Sequence, residues 1–124
     1  HKYICKKIDQ NLKIRNIKNK NLSILLVGFS FKENTNDVRN TGVFKIYQYY
    51  KSKGNKVDIF DPIADKTHAK NIYGINLMQK LSDKLYNLVI ICVKHDKFIE
   101  KSIKKKLLSI SKNAVVYDFK KLLN

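Results

Sequence analysis

The chain has 124 residues, of which 44% are hydrophobic, so it has room for one compact core and little else. Its longest apolar run, LVIICV, is far shorter than the roughly 20 residues of a membrane-spanning helix, and its N-terminus lacks signal-peptide architecture, so we expect a cytoplasmic protein without a membrane partner. The net charge of +16 comes mostly from lysines spread along the chain, with Arg15 and Arg39 as the only arginines, which favours a solvated basic surface over a nucleic-acid footprint.

The first half of the chain is predicted to form helix, strand, helix and strand in that order. Apolar residues four apart indicate a helix over 1–14, which begins abruptly, as the end of a longer helix would. A polar linker follows, and the continuous apolar run LSILLVG at 22–28 is typical of a strand buried on both faces. The segment 41–54 has an amphipathic helical period, and KVDIFDP at 56–62 is a second short strand ended by proline.

The second half repeats this alternation. We predict a short helix and turn over 65–74, a marginal strand plus a helix over 75–86, and a buried strand in NLVIICV at 87–93. A helix follows over 94–111, and a strand over 114–123 closes the chain. The residues of the helix over 94–111 that are predicted to face inward are Phe98, Ile99, Ile103, Leu107 and Ile110. Four or five strands alternating with helices indicate the α/β class, as a Rossmann-like three-layer αβα sandwich with a mostly parallel sheet.

Polar residues gather where the predicted strands end, which is where open parallel sheets bind ligands. The loop FSFKENTNDVRN follows the first strand, and DP, KHD and DFKK follow the later ones. A dinucleotide-binding loop would need G-x-G-x-x-G here, whereas the chain has Gly28, Ser30 and Glu33, so ordinary NAD binding by this loop alone is not expected. Asp58 or Asp61 stands at the distance of a ribose-binding acid, which is weak evidence without the glycines.

Several of these polar residues also have purely structural explanations. Asn34 and Asp37 could be loop residues that bond backbone amides, and Thr41 could be the N-cap of the following helix. Capping and solvent exposure account for His95 and Asp96 as well as chemistry does.

The stretches GFSFKENTNDVRNTG, GNKVDIFDP, NLVIICVKHDKF and VVYDFKKLL closely resemble the C-terminal domain of the UDP-glucose/GDP-mannose dehydrogenase family. The FKEN and RNT spellings are most similar to the branch that oxidises UDP-N-acetylhexosamines. The resemblance runs from Lys2 to Leu123, nearly the whole chain. It implies that residues 1–20 are the end of a central dimerisation helix and a linker, and that residues 21–124 are a UDP-sugar-binding Rossmann-like domain.

The resemblance also implies roles for individual residues. Phe31 and Lys32 match the Phe-Lys pair that contacts the sugar nucleotide in the family, and Arg39 matches the arginine that reaches across the interdomain cleft toward NAD. At the last strand the family usually has Asp-x-Arg with the basic group on the substrate, and Lys120 stands there. Lysine keeps the charge but loses the bidentate fork of arginine.

The reaction that the resemblance implies is an NAD-dependent oxidation of C6 of a nucleotide sugar to a uronic acid, through a thiohemiacetal on a cysteine, for polysaccharide precursor synthesis. Neither Cys5 nor Cys92 is placed to be that nucleophile, and two isolated cysteines do not make a metal site. The expected function is therefore the substrate-binding part of an intact homodimeric dehydrogenase, inactive alone, whose N-terminal domain holds most of the NAD. A free-standing basic module that binds nucleic acid and a structural assembly domain are the alternatives.

Overall fold

The computed structural model describes residues 2–123, and within them four parallel strands alternate with helices. In chain order the elements are α1 (Lys2–Ile14), β1 (Ser23–Val27), α2 (Val43–Ser52), β2 (Lys56–Phe60), α3 (Lys66–Tyr73), β3 (Leu88–Ile91), a 3-10 helix (Asp96–Ile99), α4 (Lys101–Ile110) and β4 (Val115–Asp118). The predicted α/β class is confirmed, and so are the strands predicted within 22–28, 56–62, 87–93 and 114–123. No helix in this described part is long and apolar enough to cross a membrane.

The sheet has the strand order β2-β1-β3-β4, and every neighbouring pair is parallel. The chain passes from β1 to β2 on one side and then crosses to β3 on the other, so the strand order reverses between β1 and β3. Val27 of β1 is in register with Phe60 of β2 and with Ile91 of β3, which brings the carboxyl ends of the three strands to one level. Loops from all three strands therefore meet at this edge of the sheet.

Helices cover both faces of the sheet. Successive strand residues point to opposite sides, so each strand contributes to two buried clusters. Ile24 and Leu26 of β1 belong to one buried cluster and Leu25 and Val27 to the other. The first cluster takes its partners from α1, α2 and α3, at Cys5, Ile8, Leu12, Val43, Ile46, Tyr50 and Ala69. The second takes its partners from the 3-10 helix and α4, at Phe98, Leu107 and Ile110. The result is the predicted three-layer sandwich, and α1 shares the core of the sheet.

The predicted helix within 75–86 is wrong. The segment 74–87 is irregular, and Met78 forms an isolated parallel bridge with Phe60 of β2. The Met78 amide donates to the Ile59 carbonyl at 2.8 Å, and the Asp61 amide donates to the Met78 carbonyl at 3.0 Å. Backbone groups that a helix would pair internally are thus bonded to the edge of the sheet, and Leu85 remains 64% exposed.

The predicted helix over 94–111 is divided in two at Glu100, whose backbone is extended with ψ of 138°. This break shifts the helical phase, so Ile99 is 55% exposed, whereas Phe98, Leu107 and Ile110 are buried as predicted. The closing strand also ends earlier than predicted. After Asp118 the chain turns, and the Asp118 carboxylate accepts hydrogen bonds from the amides of Leu122 and Leu123.

Candidate functional site

A fully buried carboxylate joins the loops at the carboxyl ends of β1 and β2. Asp61 directly follows β2 and has no exposed surface. Its Oδ2 accepts from the Phe29 amide at 2.7 Å and the Ser30 amide at 3.1 Å, and its Oδ1 accepts from the Ile63 and Ala64 amides at 2.8 and 2.9 Å. Because backbone amides donate hydrogen bonds to both oxygens, these bonds offset the energetic cost of burying the charge.

His95 extends this arrangement to the loop after β3. It is also without exposed surface, and its Nε2 lies 2.9 Å from Asp61 Oδ2. Its Nδ1 accepts the Asn34 amide at 2.9 Å, so this nitrogen carries no proton and Nε2 is the one that donates to Asp61. Asn34 in turn accepts the Asp96 amide at 2.8 Å through its side chain. We call Asp61, His95 and the amides bonded to them the Asp61 centre.

The electrostatics of the Asp61 centre favour an ionised carboxylate. Burial by itself raises the pKa of Asp61, but the hydrogen bonds from His95, Phe29 and Ala64 outweigh it, and the pKa lies below its ordinary value. Two expectations are corrected here. Asp61 is not free to bind a ribose. His95 stands at the N-cap position of the 3-10 helix but is not exposed, and its ring does not cap the helix because it is hydrogen-bonded to Asp61 and Asn34. Asp58 bonds Lys84 and Tyr86 instead.

The loop after β1 does not fit the pyrophosphate of a dinucleotide. The amides of Phe29 and Ser30, which follow the loop glycine, donate to Asp61 and point at no ligand. Gly28 has φ of +93°, and a Cβ at this position would lie 2.6 Å from Val93, in the loop after β3. The glycine therefore serves the close approach of the β1 and β3 ends to each other, and the absence of the other two fingerprint glycines agrees with this.

Next to the Asp61 centre is an open pocket of about 360 Å³, bounded by the carboxyl ends of β1, β3 and β4 and by the start of α2. We call it the strand-end pocket. Phe31, Phe119 and Lys120 stand among its lining residues, with Gly42 at the helix start. The two phenylalanines are 55% and 39% exposed, so both present ring surface that the core does not use. Its place beside the crossing point between β1 and β3 is where ligands of open α/β sheets bind.

The start of α2 gives the strand-end pocket a positive character. The first turn of α2 has no acidic residue, and Gly42 occupies the N-cap without a side-chain oxygen. Thr41, predicted as the cap, lies one position earlier, and its hydroxyl accepts the Val43 amide at 3.3 Å. The start of this helix and Lys120 thus border the same space, and the positive end of a helix dipole beside a lysine suits a phosphate group.

The structure separates the four predicted site residues. Phe31 and Lys120 line one pocket, although 88 intervening residues separate them in the sequence. Lys32 is exposed and is not part of the pocket lining. Arg39 lies outside it too, where its guanidinium bonds both carboxylate oxygens of Asp37 and lowers the pKa of that carboxyl to about 2. The Asp37 carboxylate also accepts the Arg39 amide, which confirms the structural explanation of this residue.

Sequence reasoning missed Phe119 and Gly42 as pocket residues. A signal for Phe119 was present, since Phe-Lys occurs twice at strand ends, as Phe31-Lys32 and as Phe119-Lys120. The sequence held no signal for Gly42, because a glycine is an ordinary residue at the start of an amphipathic helix.

Neither cysteine has the surroundings of a nucleophile. Burial, with a smaller contribution from Asp9, raises the pKa of Cys5 to about 11, and burial raises that of Cys92 to about 12. Among residues 2–123 there is no group of three metal-ligating side chains. A larger groove, about 870 Å³, is lined only by α1 and α2 and takes no residue from the strand-end loops.

A model of the UDP binding domain of the UDP-glucose/GDP-mannose dehydrogenase family matches residues 25–124. Protein CapL of Staphylococcus aureus is 31% identical over an alignment of 124 positions, which covers 99% of this chain and 29% of that protein. The UDP-N-acetyl-D-glucosamine 6-dehydrogenase of Salmonella typhi is 37% identical over 76 residues, which are 61% of this chain and 18% of that enzyme.

Solved structures share the fold at low sequence identity. The NDP-N-acetyl-D-galactosaminuronic acid dehydrogenase of Methanosarcina mazei superposes with a TM-score of 0.78 at 18% identity, covering 98% of this chain and 25% of that one. The UDP-D-ManNAc dehydrogenase of Pyrococcus horikoshii gives 0.73 at 18% identity, with 98% and 27% covered. The chain spans between 18% and 29% of the length of the curated relatives that it matches.

Proposed function

The chain belongs to the UDP-glucose/GDP-mannose dehydrogenase family, and from this premise we propose that its strand-end pocket binds the UDP part of a nucleotide sugar. The observation that carries the proposal is the convergence of Phe31, Phe119 and Lys120 with the start of α2 on one open pocket. Aromatic rings, a lysine and the positive end of a helix dipole are groups that suit a base, a sugar and a diphosphate.

Each lining group has a distinct part in this binding. The diphosphate takes the place in front of α2, where the helix dipole and the Lys120 ammonium both favour negative charge. The exposed faces of Phe31 and Phe119 provide an apolar wall for the uracil or the sugar ring. Lys32, outside the pocket lining and exposed, is left to reach the distal end of a long ligand.

The intact enzyme that we infer oxidises C6 of a UDP-N-acetylhexosamine or of UDP-glucose, and the names of two relatives, a UDP-N-acetyl-D-glucosamine 6-dehydrogenase and a UDP-glucose 6-dehydrogenase, support these substrates. NAD supplies the hydride acceptor and is held by other parts of the protein, because the loop after β1 does not fit its pyrophosphate. The nucleophilic cysteine is likewise proposed to lie elsewhere. Arg39 is this chain's contribution to the cofactor, across a cleft between domains of a homodimer.

The test is a titration of the ¹⁵N-labelled chain with UDP-N-acetylglucosamine, UDP-glucose and a short DNA duplex, followed by amide shifts. We expect the UDP-sugars to shift Phe31, Phe119, Lys120 and the first turn of α2. Lys120→Ala should weaken binding about tenfold, the effect of losing one charged hydrogen bond. Lys105→Ala removes an exposed lysine of α4 and serves as the matched control with unchanged affinity.

Three results would count against the proposal or a part of it. If UDP-sugars leave the pocket amides unshifted while DNA produces steeply salt-dependent shifts, the basic nucleic-acid module is the better reading of this chain. Equal losses of affinity in Lys120→Ala and Lys105→Ala would mean that the ligand responds to the general positive charge of the chain and not to the strand-end pocket. In an NAD-reduction assay the chain alone should give no turnover, and clear turnover would refute the placement of the cysteine and NAD sites outside it.

A further inference from the structure

We propose that His95 is a positioning residue, which fixes the loop from Ser30 to Asn34 through two hydrogen bonds of opposite polarity. The inference rests on the proposed function of the strand-end pocket, since Phe31 and Lys32 are carried on this loop. His95 touches no ligand in this proposal and acts only through the loop.

The loop is anchored at both ends to the same buried pair. At one end the amide of Ser30 donates to Asp61 at 3.1 Å, and at the other the amide of Asn34 donates to His95 at 2.9 Å. The anchors themselves are joined, because His95 Nε2 and Asp61 Oδ2 are 2.9 Å apart. The three residues between the anchors, Phe31 to Glu33, are all exposed. The Phe31 amide also donates to the Asp37 carbonyl at 2.7 Å, so the backbone course of these three residues depends on that bond and on the two ends.

Histidine suits this position because the two ends make opposite chemical demands. The Asn34 amide needs an acceptor, and the Asp61 carboxylate needs a donor. A neutral imidazole offers both on opposite sides of one rigid ring, whereas lysine only donates and a carboxylate only accepts. The Phe98 ring packs against the imidazole in a T-shaped arrangement with centroids 5.1 Å apart, which fixes the imidazole further.

Asn34 completes the anchor on its own side. Its backbone has φ of +60°, a conformation that asparagine tolerates better than most residues. Its side chain accepts the Asp96 amide at 2.8 Å, so Asn34 is bonded both to His95 and to the residue that follows His95. A loop that is tied at residue 34 in this way presents Phe31 to the pocket in one conformation, and binding then costs less conformational entropy.

Two substitutions remove the two hydrogen bonds of His95 one at a time. His95→Asn places an amide oxygen near the position of Nδ1, so it keeps the Asn34 bond and loses the one to Asp61. His95→Gln places an amide nitrogen near Nε2, with the reverse outcome. Each variant is compared with the wild-type chain in amide hydrogen exchange without ligand, urea unfolding and affinity for UDP-N-acetylglucosamine. The ring nitrogens of wild-type His95 are read by ¹⁵N NMR.

We expect wild-type His95 to be neutral with its proton on Nε2. In His95→Gln the Asn34 amide should exchange about tenfold faster, the effect of one lost hydrogen bond, while the amides of β1 and β3 change only with global stability. The affinity should fall by a similar factor. His95→Asn should instead loosen the Phe29 and Ser30 amides at Asp61.

A proton on Nδ1, or a charged ring at neutral pH, would overturn the inference even if neither variant folds. So would exchange that rises uniformly across the chain, because that pattern belongs to a residue that only stabilises the fold. The two proposals fail separately. Wild-type protein that binds no UDP-sugar but has the expected ring and loop behaviour defeats the proposed function alone, and tight binding with unchanged loop exchange defeats the role of His95.

Discussion

The Asp61 centre and the strand-end pocket share one edge of the sheet and are built in opposite ways. In the Asp61 centre both side chains are without exposed surface, and every polar atom of the pair has a partner. In the strand-end pocket Phe31 and Phe119 keep large exposed ring surfaces, and the helix start has no acidic neighbour. Polar groups that are paired within the chain hold a loop, whereas the exposed rings and Lys120 remain for a ligand.

This difference divides the polar residues that the sequence placed together. Asp61, His95 and Asn34 have the chemistry of a site, yet their hydrogen bonds are spent within the chain. Phe31 and Lys120 have free surface in a shared space. Substitutions in the first group are expected to change stability first, and substitutions in the second to change affinity first.

Gly28→Ala should have the largest effect and should break both regions together. The added Cβ would lie 2.6 Å from Val93, at a backbone φ of +93° that alanine rarely adopts. Strain and overpacking together are expected to lower the free energy of unfolding by about 4 kcal/mol, measured by urea denaturation.

Gly54→Ala is the matched control for this substitution. Gly54 has nearly the same φ, +90°, but its added Cβ would meet only Lys20 Cγ at an ordinary 3.6 Å. We expect it to lose only about 1–2 kcal/mol, the backbone part alone. Equal losses in the two variants would mean that the close approach of the β1 and β3 ends is not what Gly28 provides.

Asp61→Asn should come next in size, because an amide NH₂ group would face donors that now share a carboxylate. We expect a loss of about 3 kcal/mol in the free energy of unfolding, the lower end of the usual cost of breaking a buried pair. Faster exchange of the Phe29 and Ser30 amides should accompany it. A loss below about 1 kcal/mol would show that the amides bonded to Asp61 find other partners.

The same substitution should remove part of the acid sensitivity of the fold. The folded-state pKa of Asp61 lies below the ordinary value of 3.8, so ionised Asp61 favours the folded state. That stabilisation is complete above the ordinary pKa and is lost as the pH falls toward the lower folded-state value. Wild-type stability should therefore decline more steeply below about pH 4 than that of Asp61→Asn. Parallel profiles would contradict this sign.

The sequence predicted the sheet well, because the apolar runs LSILLV and LVII leave few alternatives for strands buried on both faces. It failed over 75–86, where leucines four apart imitate a helix but backbone pairing with β2 competes for the same amides. A local hydrophobic pattern determines the secondary structure of a segment only where no neighbouring strand edge competes for its backbone hydrogen bonds. Met78 lies beside such an edge.

The candidate site was predicted in part for a related reason. Phe31 and Lys120 could be proposed from their places at strand ends, where any ligand of a parallel sheet must bind. His95 could not be assigned, because its role depends on an amide 61 residues away and on the tautomer that this amide imposes. Lys32 follows Phe31 directly, yet it stays outside the pocket lining, since neighbours in a loop need not share a direction.

Phe31→Ala should separate affinity from stability. The side chain is 55% exposed, so its removal should change the free energy of unfolding by less than about 0.5 kcal/mol. The affinity for UDP-N-acetylglucosamine should fall about tenfold, the usual effect of losing one stacking ring. Leu108→Ala removes a side chain of α4 that is 49% exposed and should change neither quantity. A drop in stability without loss of affinity would assign Phe31 to the fold rather than to the pocket.

Gly42→Ala should have the smallest effect and gives the finest test of where the diphosphate lies. The residue has φ of −69° and ψ of −17°, which alanine accepts, and an added Cβ would meet nothing within 4 Å. Stability should therefore stay equal or rise by up to about 1 kcal/mol, because alanine restricts the unfolded chain. A phosphate held by the helix amides would meet the new methyl group, and the affinity should fall two- to fivefold, about 0.4–1 kcal/mol. Unchanged affinity would move the diphosphate away from α2 and leave Lys120 as its main contact.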